Sequence, residues 1–276
     1  MRQPQNLNSS PFFKMLPVTV MHQKTAILYD GSFEGFLSAV FDIYQLKLDP
    51  FSITKDTQAL LFGNQMVVEK DVAKCERVFN GICAYAGIAT CDMLYHSFLS
   101  CAPNIEMDIF RYLQMLFRLK RDVSGMMGES SILKVRQMQR KVTREAHRML
   151  MFIRFEQAKD GTYFAPIAPQ YDVLKIIVSH FKDRFNDQCW VIYDTHRDYG
   201  VHFNGQDVAL ITIDNPSFNL ENGRLPESMV SESELEYQHL WQVFFKQIAI
   251  KERKNVKLQQ NFMPKRFWKY LTEKRR

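Results

Sequence analysis

Residues 147–205, HRMLMFIRFEQAKDGTYFAPIAPQYDVLKIIVSHFKDRFNDQCWVIYDTHRDYGVHFNG, decide how the chain is read. Met149, Met151, Ile153 and Phe155 alternate with Leu150, Phe152, Arg154 and Glu156. This period of two predicts a strand over 148–156, with Arg154 and Glu156 on one face. Asp160-Gly161 supplies a hairpin turn, and 162–168 returns as the partner strand, Pro166 marking an edge and Pro169 ending it. From Tyr171 the period changes to that of a helix, with Leu174, Ile177, Val178, Phe181 and Phe185 on one face, after which Trp190, Ile192 and Asp194 resume alternation. Arg148, Arg154, Arg184 and Arg197 lie in the same stretch, so cationic chemistry and sheet core are interleaved.

Upstream, 25–29 reads as a strand ending at Asp30-Gly31, and Ser32 can cap a helix whose buried stripe is Phe33, Phe36, Leu37, Val40, Phe41 and Tyr44. Residues 59–68 suggest a short extended segment with a turn at Gly63-Asn64. Three helical patterns follow over 71–122 and read as an inserted lobe. A helix starting at Ser130 or Ser131 carries Lys134, Arg136, Arg140, Lys141, Arg144 and Arg148. Downstream, 208–213 is strand-like, and Ser231 with Glu234 has the spacing of a capping box for a helix to about Lys246, its core contacts made by Leu235, Leu240, Val243 and Phe244. Pro264 opens a short tail helix anchored by Phe267, Trp268 and Leu271. The expectation is an α+β fold with a mainly antiparallel sheet flanked by helices, built from strands near 25–29, 148–156, 162–168, 189–195 and 208–213. Residues 1–24 read as a flexible leader, and 25–276 as a single domain with the helical lobe at 71–122 inside it.

A chain of 276 residues with 46% apolar content is long and oily enough to bury a sizeable core. The net charge of +6 is unevenly placed. From Lys134 to Arg154 seven cations stand against Glu145 alone, and from Lys251 to Arg276 ten stand against Glu252 and Glu273, so the rest of the chain is acidic. Two segregated basic patches are the footprint of a polyanion binder, although a solvated face explains a charged helix equally simply. Cys75, Cys83, Cys91, Cys101 and Cys189 show no Cys-x-x-Cys spacing and read as buried reduced thiols, which points to the cytoplasm. No run of about 20 apolar residues and no signal-peptide core is present.

No metal-ligand spacing of histidines, Walker A loop, dinucleotide fingerprint or nucleophile elbow occurs, and no cofactor is expected. Asp30, Glu156 and Asp194 lie at predicted strand ends, where converging carboxylates would hold Mg²⁺ for phosphodiester chemistry, but strand-end aspartates more commonly form turns. Arg140, Arg144, Arg148, Arg154 and Arg197 with Lys265, Arg266 and Lys269 are the candidate phosphate contacts. Tyr193 and Tyr199 are the aromatic residues expected to be exposed for base stacking. Burial of Phe267 and Trp268 should fold the tail back beside the basic helix and merge the two patches.

Five blocks carry a resemblance: TAILYDGSFEGFLSAVFDIY at 25–44, HRMLMFIRFE at 147–156, HFKDRF at 180–185, CWVIYDTHRDYG at 189–200 and NFMPKRFWKYL at 261–271. Together they resemble the DUF4130 family, a group associated with DNA metabolism. The resemblance implies a role in DNA repair or modification beside a radical SAM protein. Many members are fused to a C-terminal uracil-DNA glycosylase-like domain. This chain ends soon after MPKRFWKYL, so that activity is not expected of it, and the Cys-x-x-x-Cys-x-x-Cys cluster motif of the radical SAM partner is missing. The resulting expectation is a DNA-binding accessory protein without catalytic activity of its own. A metal-dependent enzyme acting on DNA and a protein adaptor without DNA contact are the alternatives.

Overall fold

The computed structural model describes residues 24–56, 64–214 and 224–274. The leader read at 1–24 lies outside them but for Lys24, and the turn at Gly63-Asn64 is described only from Asn64. The chain divides into two compact units, Met1–Val78 and Phe79–Arg276.

In the first unit, β1 (Thr25–Leu28) leads into α1 (Phe33–Gln45), β2 (Pro50–Thr54) and β3 (Asn64–Val67). The Ser32 side chain accepts a hydrogen bond from Gly35 N at 2.9 Å, the expected cap. β1 is the centre of a three-stranded sheet, ordered β2-β1-β3, and both pairings are parallel. Here α1 is the crossover that a parallel pair needs. β2 was not foreseen from the sequence, because Pro50 at its start reads as a loop.

α2 (Val72–Ala86) carries the chain into the second unit, where α3 (Ile88–Phe98), α4 (Ile105–Leu119) and α5 (Ser130–Phe152) follow. α5 packs against both α3 and α4, and Ser97 Oγ donates to Val135 O at 2.6 Å. α3, α4 and the basic helix α5 thus form one helical layer of the second unit. Cys83 and Cys91 bring their sulfurs to 3.1 Å, and burial pushes the Cys91 thiol up to about 12. All five cysteines are free thiols, but only Cys91 is buried; Cys75 and Cys83 are half-buried, and Cys101 and Cys189 are exposed.

The strand expected over 148–156 is the last turn of α5, which ends at Phe152, followed by a two-residue β4 (Glu156–Gln157). The buried series Val135, Met138, Val142, Glu145, Ala146, Met149 and Phe152 keeps a helical period straight through the stretch that alternates. β5 (Tyr163–Ile167), α6 (Leu174–Arg184), β6 (Trp190–Asp194), β7 (Tyr199–Phe203) and β8 (Val208–Ile211) complete the second sheet in the order β4-β5-β6-β7-β8. The expected hairpin joins β4 to β5, with Gly161 at φ 85° in the turn. Pro166 lies beyond the two residues that β4 pairs, so its missing N–H breaks no ladder.

The fold is α+β, 52% helix against 15% strand, but its sheets are parallel and mixed rather than mainly antiparallel. The physical reason is α6: the 22 residues between Ile167 and Trp190 are long enough for a helical crossover, and β5 and β6 pair in parallel. The short connections give the antiparallel pairs, the two-residue β4 with β5, β6 with β7 and β7 with β8. β7 was missed in the sequence because Gly200 hides its alternation. A Cβ there would stand 2.6 Å from the Tyr193 ring and 2.9 Å from Ile192 O, so the close approach of these strands needs a glycine.

One face of this sheet supplies Trp190, Ile192, Val201 and Phe203 to a core shared with Val142, Met149 and Phe152 of α5, Leu174 and Phe181 of α6, and Phe267 and Leu271 of the tail. α7 (Glu232–Gln247) and α8 (Val256–Phe262) precede that tail, whose short 3-10 segments are Lys265–Tyr270 and Thr272–Lys274. Ser231 caps α7 through Glu234 N as expected. The core contacts expected of α7 are absent, since none of its residues is buried.

Candidate nucleic-acid interface

α5 sorts its residues by face. The apolar series faces the core, and Arg140, Lys141, Arg144 and His147 fall on the opposite side and are exposed. Among the described residues none of these four makes an ion pair. The exception to the sorting is Glu145, which has the angular position of a core residue and is 2% exposed.

A buried carboxylate is stable only when paired and hydrogen-bonded. Glu145 Oε2 takes Arg266 Nη2 at 2.5 Å and lies 3.9 Å from Arg148 Nη1, while Oε1 accepts from Gln170 N at 2.9 Å. Arg266 also donates to Gln170 Oε1 at 3.2 Å and its guanidinium sits 4.6 Å over the Phe267 ring. The Phe267 ring in turn lies 5.2 Å from Phe152. These contacts bring the tail alongside α5, as burial of Phe267 requires, so the two basic stretches of the sequence adjoin. Lys265 and Lys269 on the tail are exposed, and the Lys269 ammonium lies 4.8 Å over the Tyr270 ring. Glu145, Gln170 and Glu273 were not singled out from the sequence. The signal for Glu145 is a lone acid at a core position of a basic helix.

Other cations of the candidate set are occupied inside the fold. Arg154 donates from Nη1 to Met151 O at 2.9 Å and Ile153 O at 3.1 Å, capping the end of α5, and from Nη2 to Glu273 Oε1 at 3.0 Å. Arg197 donates to Pro169 O, Gln170 O and Asp194 Oδ2 at 3.1, 3.0 and 2.8 Å, holding loop 168–173 to the turn after β6. The two tyrosines expected at the surface are not there. Tyr193 is fully buried and donates to Asp198 Oδ1 at 2.5 Å, and half-buried Tyr199 donates to Asp172 Oδ1. Alternation along β6 puts Tyr193 on the second face of the sheet, where it packs with Phe164.

Glu156 and Asp194 do not form a shared site, and Asp30 belongs to the first unit. Asp30 accepts from Ser32 N at 2.9 Å and Ser32 Oγ at 2.7 Å in the turn before α1. Glu156 is buried on β4 and accepts from Leu225 N at 3.3 Å. Burial pushes the Asp194 carboxyl above its ordinary value, opposed by Arg197 and by the N–H groups of His196 and Arg197. The register pairs Glu156 with Phe164 and Phe164 with Val191, so Asp194 stands three residues further along and two strands across. That offset places it on the opposite face of the sheet and roughly 14 Å away by backbone spacing. Among the described residues no three of His, Cys, Asp and Glu come together to hold a metal ion, and no helix is long and apolar enough to cross a membrane.

The second unit is thus a helical layer on a mixed five-stranded sheet, with a basic helical face beside a basic tail. The chain belongs to the DUF4130 family, a domain of unknown function, whose sequence model matches residues 103–273. The match runs from just before α4 into the last 3-10 segment and leaves out the block at 25–44 that also carries the resemblance. No curated protein and no solved structure matches the chain.

Proposed function

We propose that this protein is a DNA-binding accessory factor that acts in the cytoplasm beside a radical SAM protein and leaves the chemistry to that partner. The observation that carries the reading is the exposed face of α5, where Arg140, Lys141 and Arg144 make no ion pair among the described residues, continued by Lys265 and Lys269 of the adjoining tail. Arg148 and Arg266 border this surface while neutralising Glu145. Cations left unpaired on a rigid helix meet phosphates at little reorganisation cost, and their binding is salt-dependent through counterion release.

The test is fluorescence anisotropy on single-stranded, duplex and uracil-containing DNA across a salt series. Arg140→Glu with Arg144→Glu should lower the slope of log affinity against log salt by about two and leave the melting temperature unchanged. Arg154→Gln and Arg197→Gln should instead lower stability with little change in slope. If the α5 double variant binds every DNA with the affinity and salt dependence of the parent, the surface is a solvated face and the DNA reading fails.

A further inference from the structure

α7 carries an apolar stripe that the described chain leaves largely open. Tyr237, Leu240, Trp241, Phe244 and Ile248 fall at i, i+3, i+4, i+7 and i+11, one side of a helix, and are 41–68% exposed. Beyond the helix end, Ile248, Ile250, Leu258 and Phe262 line an open cleft of about 820 Å³ with Arg253 and Lys254, and no acidic residue lines it. Ten large apolar residues of 235–262 are exposed in all. The eight of them on the stripe and in the cleft offer, at roughly 100 Å² each, about 800 Å², more than the few hundred of a typical monomer surface patch and comparable with the ~800 Å² per partner of a stable interface.

Charge along the same surface is polarised. The first turns of α7 hold Glu232, Glu234 and Glu236, its last turn holds Lys246, and the region past its end holds Arg253, Lys254 and Lys257 against Glu252. A surface acidic at one end, apolar in the middle and basic at the other is complementary to itself when turned end for end.

We infer that α7 is the interface of a two-fold homodimer, in which two copies of the helix pair antiparallel through this stripe. A dyad between Gln242 and Val243 sets Tyr237 against Ile248 of the partner subunit and Trp241 against the partner subunit's Phe244. The same operation brings the acidic first turns of each helix towards the basic region past the end of its partner. Both ends are satisfied by the one operation, as an isologous interface demands, and the antiparallel arrangement also opposes the helix dipoles favourably. The dimer is independent of whether the protein binds DNA.

Sedimentation equilibrium over the micromolar range tests it. The parent chain should reach twice its 32.6 kDa, and Leu240→Glu with Phe244→Glu should hold it at the monomer mass with unchanged helix content, because both side chains are solvent-facing in the single chain. A charge-swap pair checks the register. Glu232→Lys/Glu236→Lys and Arg253→Glu/Lys254→Glu should each be monomeric alone, and mixing them should restore a dimer containing one of each. A parent chain that stays monomeric overturns the inference. So does a parent dimer insensitive to the Leu240/Phe244 change, or swap variants that fail to recombine. If the monomer instead binds an acidic amphipathic peptide along the stripe, the surface belongs to a different chain and the dimer is likewise excluded.

Discussion

α5 and α7 are the two longest helices of the second unit, and both show the periodic apolar pattern of an amphipathic helix. α5 turns nine residues into the core and its cations outward, whereas α7 buries none and turns aromatic and aliphatic side chains to solvent. The pattern in each sequence states that a face needs covering. It does not state whether the cover comes from the same chain. For α5 the cover is the lobe, the sheet and the tail; for α7 the described chain supplies edge contacts, among them Gln242 to Thr272 O at 3.1 Å, Trp241 to Glu273 at 3.1 Å and Lys274 over the Phe245 ring at 5.0 Å.

Equivalent truncations on the two helices give the largest contrast. Met149→Ala on α5 removes a side chain that is 2% exposed and should cost about 2–5 kcal/mol in chemical denaturation. Leu240→Ala on α7 should change the folding free energy of the monomer by less than about 0.5 kcal/mol. A large loss at Leu240 at concentrations where the chain is monomeric would break the comparison, by showing that α7 is covered within one chain after all.

Glu145 gives the next effect. Glu145→Ala strands Arg266 and Arg148 and leaves Gln170 N without its acceptor. Removing one partner of a buried pair costs about 3–5 kcal/mol, and the Arg266 side chain, 37% exposed, regains water, so about 2–3 kcal/mol is expected. The tail should lose its protection from hydrogen exchange before the rest of the unit. If the tail stays protected, Phe267 and Leu271 alone hold it, and the acid buried in α5 contributes little to its docking.

What was legible in the sequence was local. Ser32 and Ser231 cap helices because a hydroxyl can reach a free N–H a few residues on, and Asp160-Gly161 turns because glycine accepts a positive φ. The return of the tail also followed from local chemistry, since Phe267 must find an apolar surface. Strand direction was not legible, because parallel pairing of β5 and β6 depends on where α6 delivers the chain. Over 148–156 both periods fit: Met149, Leu150, Met151 and Phe152 are all apolar, and only the continuation of the stripe from Val135 decides for a helix. The candidate cations were found by charge, but charge alone cannot separate Arg144, open to solvent, from Arg197, whose guanidinium is bound to two carbonyls and Asp194. Glu156 and Asp194 failed to converge for a reason of the same kind, since face and register are properties of the folded sheet.

The smallest expected effect concerns Glu273, the residue that links the two helices. Its Oε1 receives Arg154 Nη2 from the segment that ends α5, and its Oε2 receives the indole N–H of Trp241 on α7 at 3.1 Å. Burial alone would raise its carboxyl, but its own backbone N–H, Trp241 and Arg154 outweigh that and hold it below its ordinary value of 4.5. A carboxylate with a depressed folded value contributes stability that is fully present above the unfolded value and is lost as pH falls through the folded one. Acidification below about pH 4.5 should therefore loosen the attachment of α7 to the tail. Arg154 is partly exposed, so the contribution should be below about 1 kcal/mol. Hydrogen exchange of α7 measured at pH 7 and again below pH 4, corrected for the intrinsic rate, should show lower protection in acid. Glu273→Gln, which keeps an acceptor for Trp241 but removes the charge facing Arg154, should show the lower protection already at pH 7 and lose its pH dependence. Protection that falls equally with acid in the parent and in Glu273→Gln would assign the link to another group and leave Trp241 as a neutral contact.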